Sequence, residues 1–324
     1  MILRYACSCL LGIFCILGCS ITQEKDERPS SIPSSIDDLW DFDDPAESRA
    51  RFEKALHEIG DDGPLGDRLE ILTQIARTYG LEGNFAESLR ILDGVEGKLG
   101  GASPLIRIRT LLEKGRTFNS SKKSDRARPL FLKAWDLARE SGEHGYAVDA
   151  AHMMGIIEQG DESLLWNERA IAYAEESRDA RALRWLGSLY NNTGWTYHDS
   201  GRYEEALALW RKALAWHEER DPGKRTLIAK YMVGRGLRSL ERFDEALRVQ
   251  QDLLAEMEAK GARSDGFVFE EIGECLLALG RAEESKGNFS QAYDLLSKDS
   301  HLAREEPKRL KRLEKLAGTR PEDR

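Results

Sequence analysis

Asn192-Thr193-Gly194-Trp195-Thr196-Tyr197-His198-Asp199-Ser200-Gly201-Arg202-Tyr203-Glu204-Glu205-Ala206-Leu207 is the stretch on which the fold turns. Gly194 and Ala206 are small residues, each within an apolar pattern of helical period, and Gly201-Arg202 between them supplies a tight turn. Small residues on two helices either side of a turn mark a hairpin whose helices cross at close range. The same arrangement recurs along the chain. The alanine or serine position reappears at Ser48, Ser88, Ala127, Ser163, Ala206, Ala246 and Ser285, at spacings of 40, 39, 36, 43, 40 and 39. Twelve residues before the last six of these stand Ala76, Gly115, Ala151, Gly194, Gly234 and Gly273, with matching spacings. Self-similarity at a fixed period identifies a repeat array, which frees the 324-residue chain from the usual expectation of about two compact domains.

Bulky columns agree. Three residues after the glycine-rich column come Tyr79, Phe118, Met154, Tyr197, Leu237 and Leu276, placed to fill the space between the two helices of a hairpin. Seven after the alanine/serine column come Ala55, Val95, Ala134, Ala170, Ala213, Leu253 and Ala292. These residues resemble the tetratricopeptide repeat family, whose signature has a small residue, an aromatic three later, then alanine, an aromatic and alanine in the second helix. The resemblance covers about Asp43 to Ser297. It implies an all-α fold, a right-handed superhelical α-solenoid of hairpins with a period near 40 residues, as a lone leading helix and about six hairpins over 43–298. The period exceeds the family's usual 34, which implies longer helices. Asn167 and Gln250 also stand where the second helix normally carries an aromatic.

Local signals place helix ends independently. Asp44-Pro45, Ser103-Pro104 and Asp221-Pro222 each set a capping side chain before a proline in the first helical turn. Gly83-Asn84 and Gly160-Asp161 join Gly201-Arg202 as hairpin turns. Pro307 opens a last helix bearing Leu310, Leu313 and Leu316 with Gly318 beyond it, so 299–324 reads as a capping helix and tail.

Residues 1–18 carry one base, Arg4, and an apolar run from Tyr5 to Leu17, the pattern of an export signal. Ile16-Leu17-Gly18-Cys19 resembles a bacterial lipobox, which implies cleavage before Cys19 and lipid attachment to its thiol; Leu17 is bulkier than that motif usually has. An ordinary cleaved signal and an uncleaved anchor, somewhat short of the ~20 apolar residues of a spanning helix, are the alternatives. Residues 19–42 then form the lipid-attachment cysteine and a flexible linker rich in serine and proline. The expected address is the bacterial cell envelope, lipid-anchored and facing the periplasm or the cell surface. By resemblance to the sorting of such lipoproteins, Ser20 rather than aspartate after the cysteine mildly favours the outer membrane. Cys7, Cys9 and Cys15 would leave with the signal and Cys19 would be acylated. The mature chain then keeps Cys275 alone, with no intramolecular disulfide or multi-cysteine metal site.

Composition narrows the function. The chain has 48 Lys and Arg against 57 Asp and Glu, a net charge of −9, and no polybasic tract, so no nucleic-acid partner is expected. Membrane contact is expected through the lipid anchor only. In tetratricopeptide arrays the first helix of each hairpin lines the concave surface, and carrying that over gives three rows. One holds Arg77, Arg116, His152, Trp195, Arg235 and Glu274; the second Thr73, Leu112, Val148, Asn191, Tyr231 and Glu270; the third Gly80, Asn119, Gly155, His198, Arg238 and Leu277. Guanidinium groups pair carboxylates bidentately and aromatic faces bury side chains at low entropy cost, so the expected partner is a protein or peptide of the envelope.

The expected partner-binding residues are Arg77, Arg116, His152, Asn191, Trp195, His198, Tyr231, Arg235, Arg238, Glu270 and Glu274. The competing reading of the arginines is that they are solvated and salt-bridged to neighbouring helices, and that of Trp195 is partial burial. Thr73 and Leu112 stand where a carboxylate clamp of the chaperone-binding type needs lysine or asparagine, so that clamp is not carried over. A scaffold or adaptor is the first functional expectation and a regulatory peptide sensor the second. An enzyme or metal site built on Asp149, His152, His198, Glu270 and Glu274 is a third, without a close-spaced histidine pair, phosphate loop or nucleophile elbow to support it. No catalytic residue, metal or cofactor is assigned.

Overall fold

The computed structural model describes residues 36–220, 223–263 and 265–318. The signal segment, Cys19, most of the linker and Asp221-Pro222 lie outside the described residues.

All regular structure among the described residues is helical. A 3-10 turn, Ile36–Leu39, precedes α1 (Pro45–Ile59). Hairpins follow as α2 (Leu65–Leu81) with α3 (Phe85–Glu96), α4 (Pro104–Ser120) with α5 (Ser124–Glu140), and α6 (His144–Ile157) with α7 (Gly160–Glu176). After the single-turn α8 (Ala180–Leu183) come α9 (Leu186–Asp199) with α10 (Tyr203–Arg220), α11 (Lys224–Ser239) with α12 (Phe243–Ala259), and α13 (Gly266–Ala278) with α14 (Ala282–Leu296). The short α15 (Ser300–Glu305) leads into α16 (Pro307–Ala317), which packs on α14. The longest repeat spacing, from Ser163 to Ala206, is the one that contains α8. The chain divides into two compact units: one extends through Ala170 and includes Ser177–Ala182, the other comprises Ile171–Glu176 and Leu183 onward.

Each hairpin closes on its small columns. A Cβ added at Gly115 would lie 2.4 Å from the Phe131 ring, at Gly194 2.4 Å from the Trp210 indole, and at Gly273 2.9 Å from the Phe289 ring. Glycine is therefore what allows these rings to press on the first helix. The rings belong to one column four residues after the alanine/serine column: Phe52, Leu92, Phe131, Asn167, Trp210, Gln250 and Phe289, all buried. The two polar members hold the same seat. Gln250 lies against Gly234, and its Nε2 donates to the Tyr231 carbonyl at 3.0 Å, as Trp210 Nε1 donates to the Asn191 carbonyl at 3.2 Å. The amide thus replaces the one polar bond of the indole at an equivalent distance along the chain. Of the columns predicted from sequence, Phe118, Met154, Tyr197, Leu237 and Leu276 are buried and Tyr79 is half-buried.

Three of the expected helix-end signals take their expected form. Asp44 accepts from the Glu47 N–H at 2.9 Å, and Gly83 and Gly201 take positive φ angles at their turns. Ser103 occupies the cap position of α4, but its side chain makes no capping bond; Pro104 alone carries the start of that helix. No helix of the described residues is long and apolar enough to cross a membrane.

Candidate functional site

The second of the three expected rows is inner-facing only in part. Thr73, Leu112 and Val148 are buried, so in the first unit this row belongs to the core rather than to a binding face. Gly155 of the third row is also buried, under the Asn167 side chain. The row of Arg77, Arg116, His152, Trp195, Arg235 and Glu274 is half-exposed throughout.

In the first unit the arginines reach forward to the next first helix. Arg77 Nη1 lies 3.3 Å from Glu113 Oε1, with its guanidinium 5.5 Å from the Trp40 ring centre and 5.3 Å from that of Phe42. Arg116 donates to the same Glu113 oxygen at 2.7 Å and to Asp149 at 2.5 Å. Glu113 is 3% exposed and Asp149 7%, so these pairs are shielded from screening. The Trp40 indole N–H donates to Gln74 Oε1 at 3.1 Å, at the position in α2 equivalent to Glu113 in α4. Burial holds the His152 imidazole below the usual histidine range; neighbouring Asp149 opposes that shift and Arg116 adds to it.

The second unit repeats the construction. Trp195 lies edge-on to Trp210 at 5.3 Å and to His198 at 5.4 Å, and the Arg235 guanidinium covers its ring at 5.3 Å. Arg235 Nη1 contacts Glu271 Oε1 at 2.7 Å, and Arg238 binds both oxygens of the same carboxylate at 2.5 and 3.0 Å. Glu271 is 2% exposed. Arg309 of α16 forks onto Glu270 at 2.6 and 2.9 Å, and Arg312 pairs with Glu274. Burial raises the Glu270 carboxyl above the ordinary range, with Arg309 opposing. Burial is also the main cause that raises the Tyr231 hydroxyl, and Glu271 contributes.

These groups line an open, polar recess of about 340 Å³ formed by Arg235, Arg238, Glu270, Glu271, Glu274, Glu306, Arg309 and Arg312. In the same unit Asn191 is half-exposed and bonds Asn192, which is exposed, at 3.1 Å; His198 Nε2 meets Ser239 Oγ at 2.8 Å.

Within each unit the structure engages Arg77, Arg116, Arg235, Arg238, Glu270 and Glu274 in ion pairs, whereas Trp195 makes ring contacts and Asn191 a side-chain hydrogen bond. Pairing to neighbouring helices is what the arginines do. The carboxylates of the enzyme reading are engaged likewise: Asp149 with Arg116, Glu270 with Arg309, Glu274 with Arg312. Among the described residues no three histidine, cysteine or acidic side chains gather as a metal would require. The Cys275 thiol is buried and pushed up to about 12, chiefly by that burial, which keeps it from acting as a thiolate. Sequence reasoning missed Glu113, Glu271, Trp40, Arg309 and Arg312. The signal that reveals the acids is a carboxylate 33 or 36 residues after a row arginine, in an otherwise apolar helix face: Arg77 to Glu113, Arg116 to Asp149, Arg235 and Arg238 to Glu271.

Comparison with known proteins agrees with this geometry. Residues 185–259 match the family model described as tetratricopeptide repeat. The fold is that of tetratricopeptide-like helical hairpins. Apo RapI is similar at a TM-score of 0.71 and 14% identity, over 89% of this chain and 80% of that one. A signal transduction ATPase with a tetratricopeptide repeat sensor, from Pyrococcus horikoshii, is similar at 0.66 and 15%, over 84% of this chain and 44% of that one. No curated protein matches in sequence.

Proposed function

We propose that the chain is a protein- or peptide-binding scaffold of the bacterial cell envelope, anchored by lipid on Cys19 and binding through the inner face of its first helices. The observation that carries the reading is the second unit's recess. Its charged walls are fixed in shape by mutual ion pairs, Trp195 meets one of them under Arg235, and Asn191, Asn192 and Tyr231 of the same unit keep polar or aromatic surface. Preorganised walls reduce the ordering cost of binding, and amide and aromatic groups suit an extended polypeptide. Because the arginines already hold carboxylates, a partner would be recognised by its backbone and apolar side chains more than by a negative end group. The lipobox-like Ile16-Leu17-Gly18-Cys19 supports the address.

The test is a crosslinked capture from membranes, comparing the parent chain with an Asn191→Ala, Asn192→Ala variant. Those side chains bond each other at 3.1 Å, so their removal should leave melting within about 0.5 kcal/mol of the parent. A partner captured by the parent and lost with the variant supports the inner face; equal capture by both refutes it. Intact-mass measurement tests the anchor separately, since Met1 retained and Cys19 without acyl chains would remove the envelope reading. A regulatory peptide sensor is the second reading, supported by the Pyrococcus neighbour whose repeats are a sensor in that protein. It predicts weak, reversible peptide binding instead of a stable complex.

A further inference from the structure

We infer that a second copy of this chain docks on the exposed face of α16 through the acidic leading segment of its first unit, in a head-to-tail contact. The chain as a whole is acidic, at −9, yet α16 carries five bases and one acid. Arg309 and Arg312 are spent on Glu270 and Glu274 within the fold. Lys308, Lys311 and Lys315 are different. They follow the i, i+3, i+7 spacing of a single helix face, all three are exposed, and among the described residues none has a carboxylate within ion-pair distance. The helix's apolar side, Leu310 and Leu313, is already buried in its own core, so the lysine face is a charged surface rather than an uncovered apolar one.

The complementary charge lies at the other end of the sequence. Residues 36–59 hold eight acids and three bases, and each of those bases is already paired: Arg49 with Glu82, Arg51 with Glu47, Lys54 with Glu58. Asp43 remains exposed without a basic partner among the described residues, and Glu53 is exposed with no ion pair of its own, feeling only the charge of Arg49, which is bonded to Glu82. A surface patch that complements a different patch on the same molecule makes a heterologous contact, and such contacts propagate copy to copy. Opposite charges at the two patches attract copies in this orientation and repel like ends, which sets the register.

Sedimentation equilibrium of the chain carrying Cys19→Ser, which cannot be acylated, tests this at low and high salt. Concentration-dependent self-association is expected at low ionic strength. It should be lost near 0.5 M salt, where the screening length shrinks to about 4 Å. Reversing the tail charges with Lys308→Glu, Lys311→Glu and Lys315→Glu should weaken association at least ~10-fold, as should Asp43→Lys with Glu53→Lys at the head. Circular dichroism verifies that each variant keeps its helices. Mixing the tail variant with parent chains distinguishes the ends, because its intact head still docks on a parent tail. A monomer under all conditions overturns the proposal, and so does association indifferent to both sets of reversals. Vesicles of phosphatidylglycerol that bind the parent but not the tail variant, with the protein otherwise monomeric, overturn it in favour of an anionic membrane surface.

Discussion

In the first unit Arg77 lies over Trp40 and Phe42 and shares Glu113 with Arg116, which goes on to Asp149. In the second, Arg235 lies over Trp195 and shares Glu271 with Arg238. Both units thus use a tryptophan, an arginine over its ring, and a buried carboxylate held by two guanidinium groups. They differ in what backs each part up. Arg116 has a second carboxylate in Asp149, while Glu271 is the one acid bonded to both arginines of its set. Trp40 comes from the irregular segment after the 3-10 turn and lies edge-on to Phe52 at 5.1 Å, whereas Trp195 projects from α9 itself. The recurrence shows that the ladder belongs to the repeat, and the difference shows where each unit is vulnerable.

Removing the shared acids should break the comparison most strongly. Glu271→Ala leaves Arg235 and Arg238 without a carboxylate at a mostly buried site, and the expected loss is about 3 kcal/mol. Glu113→Ala leaves Arg116 its bond to Asp149, so about half that loss is expected. Urea unfolding followed by circular dichroism measures both, and equal losses would mean that Asp149 does not back up Glu113. Next in size are the tryptophans. Trp40→Ala uncovers Phe52 and removes the bond to Gln74, for about 2 kcal/mol; Trp195→Ala, half-exposed on a helix that remains, should cost about 1. A larger loss at Trp195 would make it a core residue and weaken the binding role proposed for its surroundings.

The hairpin crossings give a finer test. A methyl at Gly194 meets the rigid Trp210 ring, while one at Gly234 meets the end of the Gln250 side chain, each at 2.4 Å. Overpacking against the indole should outweigh the helix-propensity gain of about 1 kcal/mol, leaving Gly194→Ala destabilised by about 1–2 kcal/mol. Gln250 can swing aside at the loss of its bond to Tyr231, so Gly234→Ala should be close to neutral in thermal melting.

The hairpins were legible from sequence because packing imposes periodic columns: wherever two helices cross closely, a small residue must recur, as Gly115, Gly194, Gly234 and Gly273 do. Gln250 and Asn167 looked like departures, yet both take the aromatic seat; the long amide of Gln250 supplies volume and a donor, and Asn167 lies against Gly155. The ladder was legible only by half. Row arginines stand out on a helical face, whereas Glu113 and Glu271 sit at positions that periodicity marks as core. A pair 36 residues apart is visible only when one repeat is laid on the next. Trp40 escaped because it precedes the first helix and belongs to no column at all.

The smallest effect separates the units by pH. Desolvation lowers the His152 imidazole pKa in the first unit, so its ionised form is disfavoured relative to the unfolded chain. The unfolded state therefore takes up a proton near pH 6.5 before the folded state does. Stability attributable to this residue is present above that pH and is lost as pH falls through it toward the lower folded value. Asp149 opposes the shift but is itself bound to Arg116, which limits what it can offer an imidazolium. Melting temperature should thus fall more steeply between pH 7.5 and 5.5 in the parent than in a His152→Gln variant, as read from paired thermal scans. Parallel curves would mean that His152 carries no such linkage, and a steeper fall in the variant would mean that Asp149 stabilises the imidazolium after all.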